Sequence, residues 1–201
     1  MTQRKANESG FQNVASLSES FIDWTMIRDG INTAYQLLDI IDSQLVVTES
    51  PKLAELVELA NLSSILGNLL GSGIATSTKG VYKRNRPHAY PDLIPEKPNV
   101  PGLEIKVALE TNRPKGHLPK SGYYLTFRYV LGDEHGNHKI GERQNTIWIW
   151  EARHGYIAES DFSISNTAGD SGKTAVIKAE AFNRMGVVFF DSVYSPYKKH
   201  R

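Results

Sequence analysis

The sequence predicts an α/β domain in which a mixed β-sheet is flanked by helices and preceded by a helical N-terminal region. Three observations predict it. Residues 16–41 repeat apolar side chains at helical spacing, and an apolar run after Pro51 does the same. From residue 103 onward, short runs rich in aromatic and β-branched residues alternate with turn residues. Between these halves lies a stretch, 85–101, with several prolines, which reads as a loop or irregular hairpin. The boundary falls near residue 73, giving 1–73 as mainly helical and 74–201 as sheet core within one domain of 201 residues.

Residues 1–12 are polar and read as a loose tail. From Ser16 to Ile41 the apolar positions Leu17, Phe21, Trp24, Ile27, Ile31, Ala34, Leu37, Leu38 and Ile41 fit a helix, with Gly30 as an interruption or kink. Ser50 followed by Pro51 is a helix start, with serine as the cap and proline in the first turn. That helix is expected to end at the glycines 71 and 73. Ile74–Tyr82 reads as a first strand and Leu103–Leu109 as the central one. Tyr123–Leu131 and Thr146–Trp150 are expected to pair as a hairpin around a Gly-containing turn at 133–138. Tyr156–Ile164 adds a short strand, Lys173–Met185 leans to helix, and Val187–Phe190 is a buried strand. The end, 194–201, is basic and reads as exposed.

Composition excludes several classes. There is no cysteine, so disulfides, zinc–thiolate sites and thiol catalysis are out. The first ten residues hold no apolar signal segment, and no run reaches the ~18 apolar residues of a membrane span. A cytoplasmic protein with no membrane partner is expected. The net charge is +1, but it is unevenly placed: residues 1–78 carry −5, residues 79–120 carry +5, and residues 121–201 carry +1. A basic block of this kind suits a polyanionic partner.

Inside that block lies the segment Tyr90-Pro91-Asp92 through Gly102-Leu103-Glu104-Ile105-Lys106. If 103–109 is a strand, Glu104 and Lys106 share one face and Ile105 points to the core. A hairpin-like return brings Asp92 alongside. Two carboxylates can hold a hard divalent cation through oxygen, with an ammonium beside it. That set suits metal-assisted attack of water on a phosphodiester.

Pro91, Asp92, Glu104 and Lys106 resemble the motif of the PD-(D/E)XK nuclease superfamily, the fold of most type II restriction endonucleases. The flanking text adds to the likeness: Leu66–Gly71 closes an apolar helix, Pro87-His88-Ala89-Tyr90 precedes the motif, and Gly102-Leu103 opens its strand. The resemblance implies a restriction-endonuclease-like mixed central sheet and a Mg²⁺-dependent enzyme that cuts double-stranded DNA at a short site. It implies Asp92, Glu104 and the carbonyl of Ile105 as metal ligands and Lys106 as the residue that activates or positions the water. It also implies a further carboxylate from the preceding helix, for which Glu58 is the candidate. The products would be a 3′-hydroxyl and a 5′-phosphate. Cutting a palindrome implies a homodimer, with the N-terminal helices as the dimer surface. A repair or phage nuclease of the same fold, a DNA-binding module without catalysis, and a partner-binding helical protein are the alternatives.

The basic loop after the central strand supplies candidate DNA contacts in Arg113, Lys115, His117 and Lys120. Base-reading candidates lie after residue 140, among Arg143, Gln144, Asn145, Arg153, Asn166, Lys173 and Asn183. Gly169–Thr174 looks like part of a phosphate-binding loop, but Thr167 stands where the motif needs its first glycine, so no nucleotide cofactor is expected. His135 and His138, three apart in a turn, lack a third ligand for a metal site.

Overall fold

The computed structural model describes residues 4–165 and 174–197. The chain is α/β, with a six-stranded mixed sheet, a second three-stranded sheet and helices. The helical half holds α1 (Trp24–Val47), the single turn α2 (Leu53–Leu56) and α3 (Leu59–Ser77). The strands are β1 (Tyr82–Arg84), β2 (Leu93–Pro95), β3 (Leu103–Leu109), β4 (Lys115–Gly116), β5 (Gly122–Gly132), β6 (Thr146–Ile157), β7 (Phe162–Ser165), β8 (Thr174–Ile177) and β9 (Gly186–Phe190). A last short helix, α4 (Ala179–Arg184), precedes β9. Among the described residues no helix is long and apolar enough to cross a membrane.

Asp23 starts α1 by accepting the backbone N–H groups of Thr25 at 2.8 Å and Met26 at 3.2 Å, which satisfies donors the helix itself cannot. The buried positions of α1 are Ile27, Gly30, Ile31, Ala34, Tyr35 and Leu38, one stripe of a 3.6-residue repeat. Gly30 does not break the helix. It is the point of closest approach to α3, where a Cβ on Gly30 would fall 2.5 Å from Ile74 Cγ1, and one on Gly73 would fall 2.8 Å from Thr33 Cβ. The glycines at 71 and 73 likewise lie inside α3, which runs on to Ser77. The expected strand from Ile74 is therefore helix as far as Ser77, and the first strand begins at Tyr82. Ser50-Pro51 is not a helix start either. The backbone is extended at Val57 and Glu58, so α2 and α3 are separate helices.

The N-terminal segment is packed from residue 4 onward. Arg4 reaches Asp39 and lies 4.8 Å from the centroid of the Tyr35 ring. Ala6 is buried, and the Phe11 ring packs 5.3 Å from Trp24 and 4.9 Å from Phe189. A polar sequence gave this segment no periodic signal, and its anchors lie far away in the chain.

The large sheet has the order β1-β2-β3-β5-β6-β9. All its neighbouring pairs are antiparallel except β3 and β5, which run parallel with Leu103 opposite Tyr123 through Leu109 opposite Tyr129. A parallel return usually uses a helix. Here the twelve residues 110–121 make it without one, and β4 within them pairs with β8 to build the second sheet, β4-β8-β7. β5 and β6 form the expected hairpin, both longer than expected. Lys173–Met185 splits into β8 and α4 where the sequence leaned to a single helix; Lys173 itself lies outside the described residues.

The two faces of the large sheet carry different chemistry. One face packs Leu103, Ile105, Leu125, Phe127 and Tyr129 against Ile27, Ile31, Leu38, Leu62, Leu66 and Leu70 of α1 and α3. The other face carries Glu104, Lys106, Thr126, Arg128, Glu151 and Arg153, with a small apolar cluster of Tyr124, Ile157, Ile177, Phe182 and Met185 at one side.

Candidate active site

Alternation in β3 puts Glu104 and Lys106 together on the second face, while Ile105 turns toward α3. The Lys106 ammonium donates to Glu104 Oε1. Asp92 stands immediately before β2, whose Leu93 pairs with Leu103. The loop that brings it there is fixed by Asn85, whose N–H donates to the Asp92 carbonyl at 2.9 Å and whose side-chain amide donates to the Pro91 carbonyl at 2.8 Å.

The two halves of the motif then hold each other. The Asp92 N–H donates to Glu104 Oε2 at 3.0 Å, and Asp92 Oδ2 accepts the Ile105 N–H at 2.9 Å. In an extended strand a residue's N–H and C=O point to the same side. The Ile105 carbonyl therefore faces the edge at which Asp92 stands, and β2, paired only at Leu103, leaves that edge open.

Glu104 is 7% exposed. Burial pushes its carboxyl above the usual carboxylate range, and the nearby Asp92 charge adds to this; the Lys106 ammonium and the Asp92 N–H oppose it. A buried carboxylate in this state gains from a further positive charge.

The donor set for a hard cation is thus the carboxylates of Asp92 and Glu104 with the Ile105 carbonyl. It is all oxygen, which fits Mg²⁺ with water completing the shell. Among the described residues no group of three or more His, Cys, Asp or Glu side chains converges, so the set rests on two carboxylates.

Glu58 is not brought to this pair, and the expectation for it is corrected. It is exposed and sits at the start of α3. Gly71 of α3 packs near Ile105 Cδ1, and Gly67 near Val107 Cγ2. Glu58 therefore lies thirteen residues before the level of the motif, about 20 Å along the helix axis. It is also on the opposite face of the sheet.

The candidate DNA contacts divide. Lys115 and His117 are exposed on the crossover. The backbone at Gly116 passes over Lys106, where an added Cβ would sit 3.5 Å from Lys106 Cε. Arg113 is tied to the protein, donating to the Ile177 carbonyl of β8 at 2.8 Å. Lys120 is half-buried on the ring of Tyr90. Of the base-reading candidates, Arg143 bonds the carbonyl of Ala54 at 3.1 Å and Arg153 bonds Glu151 at 2.9 Å, so both serve the fold. Asn166, Lys173 and the glycine loop 169–173 lie outside the described residues.

Sequence reasoning missed a buried charge cluster on the same face. Arg128 donates twice to Glu151, at 2.7 and 2.6 Å, and Arg153 donates twice to the same carboxylate, at 2.9 and 3.1 Å. The Arg128 guanidinium lies 4.2 Å from the Trp150 ring centroid and 5.0 Å from that of Phe182. The one local signal was an arginine in the middle of an aromatic strand. The Thr126 hydroxyl, buried between Lys106 and Arg153 in the register of the strands, has no partner among the described residues.

Compared with known proteins, this chain matches no family model, and no curated protein is significantly similar to it.

Proposed function

We propose that the chain is a Mg²⁺-dependent DNA endonuclease of the type II restriction class, built on a restriction-endonuclease-like sheet. The observation that carries this reading is the reciprocal hydrogen bonding of Asp92 with Glu104 and Ile105, with Lys106 on the same face. Residues twelve apart in sequence are held as one oxygen cluster beside one ammonium.

Asp92, Glu104 and the Ile105 carbonyl would hold the ion. When bound, Mg²⁺ supplies charge neutralisation at the phosphate and lowers the pKa of a coordinated water. Lys106, an ammonium paired with Glu104, would hold and orient the attacking water from a position fixed by β3. Lys115 and His117, exposed beside it, contact phosphates of the duplex. In-line attack would form a bond from the water oxygen to phosphorus as the P–O3′ bond breaks, the water giving its proton to solvent and O3′ taking one from solvent, to leave a 3′-hydroxyl and a 5′-phosphate.

A two-fold dimer would place two such sites on the two strands. The outer side of the helical half offers Ile40, Val47 and Leu56, which are 50%, 77% and 52% exposed, as its apolar surface.

The test is digestion of unmethylated plasmid and phage DNA by purified protein with Mg²⁺ or EDTA, alongside Lys106→Ala. Discrete Mg²⁺-dependent fragments lost in the variant are expected. A smear lost in the variant keeps the site but makes the protein a general nuclease. No cleavage of several DNAs, with no metal binding, contradicts the proposal.

A further inference from the structure

Among the described residues Lys120 forms no ion pair, yet it is half-buried, with its ammonium 4.5 Å from the centroid of the Tyr90 ring. Exposed lysines need no partner. A partly desolvated one, held on an aromatic face, is oriented by the ring and has lost some of its water.

The structure around it is pinned. The Tyr90 hydroxyl donates to the Ser121 carbonyl at 2.9 Å, and the Tyr124 hydroxyl donates to the Lys120 carbonyl at 2.8 Å. The Ser121 hydroxyl accepts the Glu159 N–H at 2.8 Å. Gly122 lies directly under Tyr90, where a Cβ would fall 2.3 Å from the tyrosine oxygen. A side chain at 122 would push the Tyr90 hydroxyl aside.

Tyr90 is two residues before Asp92, so its Cα lies within about 7 Å of that of Asp92 along the chain. The Glu104 and Asp92 charges both act on the Tyr90 and Tyr124 hydroxyls. One aromatic ring thus joins the candidate metal loop to the end of the basic crossover.

We infer that Tyr90 is a positioning residue that fixes Lys120 beside the candidate metal site to bind the backbone phosphate next to the one being cut. The inference rests on the nuclease reading and deepens it. It separates Lys120 from Lys115 and His117, which stand exposed on the crossover. The missing counter-charge of Lys120 is the substrate phosphate.

The experiment measures binding of a 30-base-pair duplex of arbitrary sequence as a function of salt, between about 50 and 200 mM, with Ca²⁺ in place of Mg²⁺. A sequence-independent phosphate contact contributes about 1 to the slope of log affinity against log salt. Lys120→Gln and Tyr90→Leu are each expected to lower the slope by about 1, and the double variant to lower it no further. Tyr90→Phe, which keeps the ring, is expected to retain the wild-type slope. In Mg²⁺ cleavage, Tyr90→Leu is expected to lose activity about as far as Lys120→Gln does.

If Tyr90→Leu fails to fold, Lys120→Gln and Tyr90→Phe still decide. A wild-type protein that binds and cuts DNA, with an unchanged slope in Lys120→Gln, overturns this inference and leaves the nuclease reading intact. Additive slopes in the double variant overturn the role of Tyr90. A wild-type protein that neither binds the duplex nor cuts any DNA overturns both.

Discussion

The two faces of the central sheet are made of the same stretches of β3 and β5, yet they do opposite things. Leu103, Ile105, Leu125 and Phe127 are buried against two helices in a continuous apolar layer. One residue along each strand, Glu104, Lys106, Thr126 and Arg128 face a layer of charge and only a small apolar cluster. The difference teaches where the stability of this domain resides. Apolar burial is non-directional and tolerates rearrangement, so it can hold the sheet from one side. Buried charge is stable only when every partner is in place, so the second face has one geometry or none.

The largest effect should come from Lys106→Ala. Cleavage of a sensitive DNA is expected to fall by about 10²–10⁴-fold, while the unfolding free energy in urea falls by about 1–3 kcal/mol, because the buried Glu104 loses its ammonium. Unchanged cleavage by the folded variant would leave Lys106 a member of the charged layer alone.

Glu151→Gln attacks the charged face away from the candidate site. It leaves the Arg128 and Arg153 guanidiniums without the carboxylate that both grip. Removing one partner of such a buried pair costs about 3–5 kcal/mol. Leu70→Ala attacks the other face, where Leu70 is fully buried. Its expected cost is about 2–5 kcal/mol, with cleavage by the remaining folded protein unchanged. Chemical denaturation of both, read beside cleavage, sets the two faces on one scale.

His154 sharpens the comparison through pH. It lies on the helix-side face, fully buried, with Nε2 2.8 Å from the Ser20 hydroxyl and its ring stacked 5.7 Å from that of Tyr123. Burial lowers its pKa to about 4 from an ordinary 6.5. The unfolded chain therefore takes up this proton first as the pH falls. The stability linked to His154 is complete above pH 6.5, is lost progressively down to about pH 4, and then levels off. The full loss is about 3 kcal/mol. Urea melts from pH 7.5 to 4 should show this slope in the wild type and a smaller one in His154→Phe. The smallest effect belongs to Glu58→Gln, which should leave both cleavage and stability unchanged because Glu58 is exposed on the wrong side of the sheet.

How far the sequence revealed this depends on the range of each interaction. β3 was legible to the residue, because a glycine bounds it and its polar and apolar side chains alternate where the site requires them. The joining of Asp92 to Glu104 was legible as a possibility, but the Asn85 contacts that fix the loop were not, since asparagines in proline-rich loops are common. Gly71 and Gly73 read as a helix end because glycine often terminates helices. Here they sit inside one, and what requires Gly73 is Thr33 on another helix. That misreading also produced the false strand at Ile74. The Arg128 to Glu151 pair was hidden for the same reason, because its partners lie 23 residues apart and only the β5–β6 register sets them side by side. Tyr90 stood out in the sequence only as a residue preceding the motif, because Lys120 and Gly122, which meet it in space, lie about 30 residues further along.

The most direct measurement of the central claim is calorimetric titration of Mn²⁺, as a reporter for Mg²⁺, into the wild-type protein and into Glu104→Gln, with thermal melts of both. The account predicts a saturable site in the wild type that is lost in Glu104→Gln while the variant remains folded. Equal binding by both proteins, or no saturable binding by the wild type, would contradict a metal site on this face of the sheet.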